Sequence, residues 1–193
     1  NKVSGYWQPF LDKIKSLVQV SGAGVLIRGI SKNQFFDTVP EFINGSNNQL
    51  AEKAWDLWKQ KRWGELEELF NLNNLNNKWP PNRGFVEFTV EPLPIGKEID
   101  RFGGYLDKNG KLIDIGNFVS PRGASFASRA LPAEYLTSLP PKPYNIYKVI
   151  KEIPQVKKGT AVPWFNQPGM GTQYELPFSI EELLKAKYII KIN

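Results

Sequence analysis

The stretch PGMGTQYELP, residues 168–177, sets Gln173 behind a proline and two glycines. Glycines placed like this clear space for a ligand to approach the backbone. Glutamine is neither acid, base nor nucleophile at neutral pH, so any chemistry here must run through its amide, one acceptor oxygen and two N–H donors. Three other stretches of the second half carry polar groups that could act with it. IDRFGG (99–104) sets Arg101 between Asp100 and Phe102, next to a glycine pair. GNFVSPRGASFASRALP (116–132) carries Phe118, Ser120, Arg122 and Arg129. PYNIYKV (143–149) adds two tyrosines. Each has a plainer reading. An arginine beside an aspartate is more often a surface pair than a phosphate ligand. Arg129 before Ala-Leu-Pro can cap a helix, and Trp164 and Phe165 read as core.

Composition removes many chemistries. The 193 residues contain no cysteine and no histidine. That excludes disulfides, thiolate or imidazole zinc sites, cysteine nucleophiles and Ser-His-Asp catalysis. No Asp/Glu cluster stands at metal-ligand spacing, so neither a metal nor a cofactor is expected. The net charge of +6 is spread along the chain and forms no block. It suits RNA, anionic lipid, an acidic partner or a phosphate-bearing substrate, and equally a solvated basic surface. Hydrophobic residues make up 41% and aromatic residues 13%, enough for a folded core. The most apolar early run, LVQVSGAGVLIRGI (17–30), is broken by Gln19 and Arg28 and is too short to span a bilayer. Its glycines lack the Gly-Lys-Ser/Thr ending of a P-loop and the dinucleotide spacing, and read as a turn and a short buried element. A chain starting at Asn1 reads as a piece of a longer protein.

The elements that must position these residues follow from periodicity. Phe10, Ile14, Leu17 and Val18 predict a helix over 6–20. Leu50, Ala51, Ala54, Leu57 and Trp58 predict another over 48–60, capped by Asn47 or Asn48. KRWG breaks it, and ELEELF (65–70) predicts a short helix. NLNNLNNKWPPN (71–82) reads as a linker, dividing a helical segment over 1–78 from a second unit over 79–193. GFVEFTV (84–90) alternates as a strand, with Phe85, Glu87 and Thr89 on one face and Val86, Phe88 and Val90 on the other. NFVS (117–120), NIYKVIKEI (145–153), TQYEL (172–176) and the final KYIIKI also read as strands. Ser179 with Glu182 makes a capping box for a last helix. The fold class expected is α+β, with a twisted antiparallel or mixed sheet and peripheral helices.

In this order the blocks DRFG (100–103), FVSPRG (118–123), RALP (129–132), PYNIY (143–147) and NQPGMGTQY (166–174), with WPPNRGF (79–85) upstream, resemble the tuberculosis necrotizing toxin family. The resemblance covers roughly residues 79–193. AWDLWKQKRWGELEELF also looks like the helical lead-in of bacterial polymorphic toxins of this group. The resemblance implies NAD glycohydrolase activity, with Gln173 and Arg101 catalytic. It implies that Phe118, Arg129, Phe102 and Ser120 bind the NAD substrate. It further implies a secreted or exported effector acting in a target-cell cytosol, depleting its NAD and accepting NADP as well. A cognate immunity protein would block the cleft, the chain otherwise being monomeric. Neither nucleic acid binding nor stable membrane insertion is expected. LDKNGKLIDI (106–115) lengthens the segment between DRFG and FVSP, and Asn145 stands where some members carry histidine.

The chemistry tolerates the missing acids. The nicotinamide of NAD is cationic and leaves as a neutral molecule, so no general acid need protonate it, unlike an ordinary glycoside. The Gln173 oxygen can face the developing oxocarbenium or orient water while its NH2 bonds a ribose hydroxyl. Arg101 and Arg129 suit the pyrophosphate. Phe118 can stack on a ring of the ligand. Three other readings remain. Gln173-Tyr174-Glu175 spells the Gln-x-Glu of arginine-modifying ADP-ribosyltransferases, with both polar side chains on one strand face. A basic nucleic-acid-binding module and a structural adaptor are the others.

Overall fold

The computed structural model describes residues 12, 25–27, 29–45 and 47–193. Apart from residue 12, the helix expected over 6–20 and the glycine turn at 22–24 lie outside the described residues. Helix α1 (Lys32–Asp37) opens on a capping box, Ser31 Oγ accepting from Gln34 N–H and the Gln34 side chain accepting from Ser31 N–H. Helix α2 (Asn48–Lys59) buries Ala51, Ala54, Leu57 and Trp58, with Leu50 half-buried at the edge of the stripe. Asn47 is its N-cap residue, but its side chain donates to Glu41 O at 3.1 Å and caps nothing. Helix α3 (Trp63–Asn73) starts earlier and runs further than ELEELF. It ends where Asn74 turns left-handed at φ 51°, a conformation asparagine tolerates.

The remaining chain is dominated by one eight-stranded sheet. Its strands are β1 (Val25–Ile27), β2 (Phe85–Leu93), β3 (Glu98–Phe102), β6 (Phe118–Pro121), β7 (Tyr144–Val149), β8 (Ile153–Ala161), β9 (Thr172–Glu175) and β10 (Ile189–Lys191). The order is β1-β2-β8-β9-β6-β3-β7-β10, and every pairing is antiparallel. With the helices at its periphery the fold is α+β. Strands β4 (Tyr105–Leu106) and β5 (Leu112–Ile113) form a separate hairpin, built by the 106–115 extension. Helix α4 is the single turn Glu134–Thr137, and helix α5 (Ile180–Lys185) carries the capping box expected at Ser179.

Two strand expectations are corrected. NIYKVIKEI is not one strand: the chain turns at residues 150–152, where the amides of Ile150 and Lys151 both donate to Tyr188 O. Strand β8 follows, a strand the polar run QVKKG concealed. The even alternation of β2 also fails. Its register on β8 shifts between Phe85 and Phe88, and only Phe85 and Leu93 are buried.

Two cores result. One lies against the sheet under helix α5 and gathers Ile99, Val119, Tyr147, Ile153, Ile180 and Leu183, with their neighbours. The other is aromatic, and packs Phe35, Phe42, Trp58 and Phe70 against Ala130, Val162 and Trp164. Strand β6 is the hinge of the design. Phe118 and Val119 pair with β9, whereas Ser120 and Pro121 pair with β3. It thereby sets the DRFG strand beside the strand that carries Gln173.

Candidate active site

A cavity of about 380 Å³ opens where the aromatic core meets β3, β6 and β9. Gln173, Arg101, Phe118 and Arg129 all line it, as do Thr38, Asn76, Trp79, Arg83, Asn117 and Tyr135. Phe102 and Ser120 line a small annex of about 40 Å³ that also touches Asp100, Arg101, Phe118, Arg129 and Gln173. The six residues singled out in the sequence are therefore brought together.

Gln173 sits on β9 opposite Gly159 of β8. Its Nε2 donates to Gly84 O at 3.0 Å. That contact fixes the amide and leaves Oε1 without a hydrogen bond among the described residues. Gly84 is at φ +78°, where a side chain would be strained. The two glycines before Gln173 work differently from the sequence expectation. Neither lines the cavity. A Cβ on Gly169 would meet the Pro163 backbone at 2.8 Å, and one on Gly171 would meet Ser128 O at 2.7 Å. Their amides donate to Ala127 O and Ser128 O. PGMG is the zip that draws the Arg129 turn, Ala127–Arg129, against the Gln173 strand.

Arg101 pairs with Asp114 and not with its neighbour Asp100. Adjacent residues on a strand point to opposite faces. Its Nε donates to both Asp114 oxygens, at 2.9 and 3.2 Å, and its Nη1 donates to Phe118 O at 2.7 Å. Asp114 is 3% exposed and also accepts from Gly116 N–H. The extension 106–115 thus remodels the site by delivering the counter-ion of Arg101. The guanidinium lies in a sleeve of two glycines. A Cβ on Gly116 would stand 1.8 Å from Nη2, and one on Gly103 would stand 2.5 Å from Cζ. Nη2 is left without a partner among the described residues.

Asp100, fully buried, belongs to Arg129. Arg129 Nη1 approaches Asp100 Oδ1 to 2.6 Å without hydrogen-bond alignment. The Arg129 Nε and Nη2 donate to Ala124 O at 3.2 and 2.7 Å, and its guanidinium lies 5.1 Å from the Phe102 ring centre. Asp100 Oδ2 accepts from Gly123 N–H and from the Tyr144 hydroxyl. Burial, then that bond to a carboxylate, raises the Tyr144 pKa above its ordinary value of 10.0. Burial does the same at Tyr135 on the cavity wall, so both phenols stay protonated at neutral pH. Phe102 itself packs on Tyr144 and Phe126, and Ser120 is buried beneath the annex.

Arg83 escaped the sequence reading, although it stands in the WPPNRGF block. It lies 5.4 Å over the Phe118 ring, with Nε donating to Glu175 Oε1 at 2.6 Å. Glu175 Oε2 accepts from Lys157 Nζ at 3.2 Å. Glu175 does not line the cavity. Among the described residues no carboxylate does, whereas three arginines do; Asp100 lines only the annex.

The family described as tuberculosis necrotizing toxin matches residues 92–192. The chain belongs to the tuberculosis necrotizing toxin family. A curated relative, the conidial surface nicotinamide adenine dinucleotide glycohydrolase of Aspergillus fumigatus, is 34% identical over 125 aligned positions, covering 60% of this chain. The chain spans about half the length of that relative, 49% of it. Among solved structures, the tuberculosis necrotizing toxin complexed with its immunity factor is 26% identical, with a TM-score of 0.44 over 58% of this chain and 60% of that one. Tse6 in complex with Tsi6 is 19% identical, with a TM-score of 0.33 over 54% of this chain and 70% of that one.

Proposed function

We propose that the chain is an NAD glycohydrolase, cleaving the bond between nicotinamide and ribose to give nicotinamide and ADP-ribose. One observation carries the reading: among the described residues three guanidinium groups, three side-chain amides and no carboxylate line the main cavity. Asp100, the carboxylate of the annex, is held by Arg129, so no free acid is at hand to protonate an ordinary glycosidic oxygen, and most glycosidases need two carboxylates. Such a site can cleave a glycoside whose leaving group departs unprotonated, and NAD is such a substrate. Family membership and the Aspergillus fumigatus relative support the same activity.

In this reading Gln173 Oε1 faces the cationic ribose or aims the attacking water. Gly84 O, holding Nε2, keeps that oxygen in place before the charge develops, which is where preorganised dipoles gain most. Arg101 presents Nη2 toward the ligand from its glycine sleeve. Phe118, Phe102, Ser120 and Arg129 shape the wall. The reading calls for neither a metal nor a cofactor. NADP is hydrolysed alongside NAD. The biological setting proposed is that of an exported toxin depleting NAD in a target cell, with an inhibitory immunity protein. A net charge of +6 favours an acidic inhibitor. The Gln-x-Glu transferase reading loses support, since Glu175 lies outside the cavity wall and its two oxygens are engaged by Arg83 and Lys157.

The test is to incubate purified protein with NAD and resolve nicotinamide, ADP-ribose and cyclic ADP-ribose. Nicotinamide and ADP-ribose in equal amounts are expected. No nicotinamide release, or an acceptor protein carrying the label, overturns the reading.

A further inference from the structure

The three cavity arginines are not equivalent. Each has a carboxylate behind it: Asp114 for Arg101, Asp100 for Arg129, Glu175 for Arg83. The first two pairs are buried and self-neutralising, with arginine side chains 18% and 4% exposed. The third pair is shared with a second cation. Lys157 Nζ holds the other Glu175 oxygen, so the Arg83 cluster keeps one positive charge in excess. Arg83 is also 51% exposed, and its Nη1 takes no partner among the described residues. Asp37 lies across a smaller cavity that Arg83 and Lys157 also line, and forms no ion pair with either among the described contacts. An anion gains most where positive charge is uncompensated and a donor is free.

We infer that Arg83, positioned by Glu175, is the residue that binds the phosphates of the dinucleotide, a role that the buried and internally bonded Arg129 does not fill. Phe118 serves as its seat. The guanidinium over the ring and the two-point contact with Glu175 hold the planar fork at the cavity wall. Glu175 is then a positioning residue that acts on the ligand only through Arg83. The inference rests on the NAD reading for its substrate, but not for its measurement.

Two measurements test it on the purified chain. In the first, ADP is titrated calorimetrically, without turnover. Arg83→Ala is expected to weaken ADP binding by at least about tenfold, the loss of one charge-assisted hydrogen bond. Glu175→Gln weakens it less, and Arg83→Lys restores part of it. Unchanged ADP affinity in Arg83→Ala overturns the inference, whatever the enzyme does with NAD. In the second, NAD is compared with nicotinamide riboside, which has no phosphate. Arg83→Ala is expected to raise KM for NAD about tenfold with kcat within threefold, leaving kcat/KM for the riboside unchanged. Equal losses on both substrates would place Arg83 at the ribose or in the fold, and overturn the phosphate role. A wild-type chain inert toward NAD but bound by ADP through Arg83 would sink the hydrolase reading alone.

Discussion

The two cores meet at the cavity and are built from different side chains for different tasks. The aromatic core assembles rings edge to face, as at Phe70 and Trp164, 5.4 Å apart, and at Trp58 and Trp63, 5.1 Å apart. Each ring there buries a large apolar area. The sheet core interdigitates aliphatic side chains beneath strands already fixed by their hydrogen-bond ladder. The polar groups divide accordingly. Arg101, Phe118 and Gln173 stand on strands, where register sets their spacing. The helical side contributes Thr38, Asn76 and Trp79 as a wall, tied on by a few long-range bonds. Among these, Asn82 N–H donates to Thr38 Oγ1 and Trp164 Nε1 to Lys78 O, each at 2.9 Å. The lesson is that a sheet supplies the precision and a packed cap supplies the enclosure.

The largest effect expected tests the cap. Trp164→Ala removes a fully buried indole and leaves Lys78 O without its donor. It should cost about 3–5 kcal/mol in urea unfolding. A loss below about 1 kcal/mol would show that the aromatic core does not hold the wall.

Next comes the sheet side. Gln173→Ala should lower kcat for NAD roughly 100-fold, about 3 kcal/mol, while the melting temperature moves by only a few degrees. Gln173→Glu sharpens the point, because a carboxylate oxygen would face Gly84 O where an N–H now donates. It should therefore also be impaired. Full activity in a folded Gln173→Ala protein would reduce this residue to part of a strand.

A smaller loss is expected from Gly116→Ala. The glycine is not in a left-handed conformation, so the change acts only through the collision with Arg101. The guanidinium must leave Asp114 or Phe118 O, costing about 1.5–3 kcal/mol in kcat/KM if one charge-assisted bond is lost. Unchanged kinetics would mean that the sleeve is not needed.

The mildest test is alkaline. The folded pKa values of Tyr135 and Tyr144 lie above 10.0, raised chiefly by burial. The unfolded chain therefore loses these phenolic protons first. The stability they contribute is complete below pH 10 and declines as the pH rises beyond it. The urea midpoint should be lower at pH 11 than at pH 9, and less so in a Tyr135→Phe, Tyr144→Phe double variant. A midpoint independent of pH would remove both phenols from the account.

Much of this was legible because it is local. The Ser179 capping box closes over three residues, and the stripe of helix α2 repeats every turn. The break at residues 150–152 was not legible, because the carbonyl that holds it belongs to Tyr188. Strand β8 was hidden by lysines that neighbouring carboxylates engage, Lys157 by Glu175 and Lys158 by Glu91. At the site, the six candidate residues could be picked from blocks whose residue types were telling. Arg83 could not, since its value lies in standing over Phe118 and sharing Glu175, 92 positions away.

The sequence by itself determined the chemical repertoire. With no histidine and no cysteine, the reactive groups had to be amides, guanidinium groups, hydroxyls and carboxylates. The order of its blocks determined the family. Only the tertiary structure decided which carboxylate neutralises which arginine, which glycines make room for a side chain and which for backbone, and which face of Gln173 stays free. The physical reason is that such pairings depend on register across β3, β6 and β9. A one-residue slip there would exchange every face, and no local interaction within the chain specifies it.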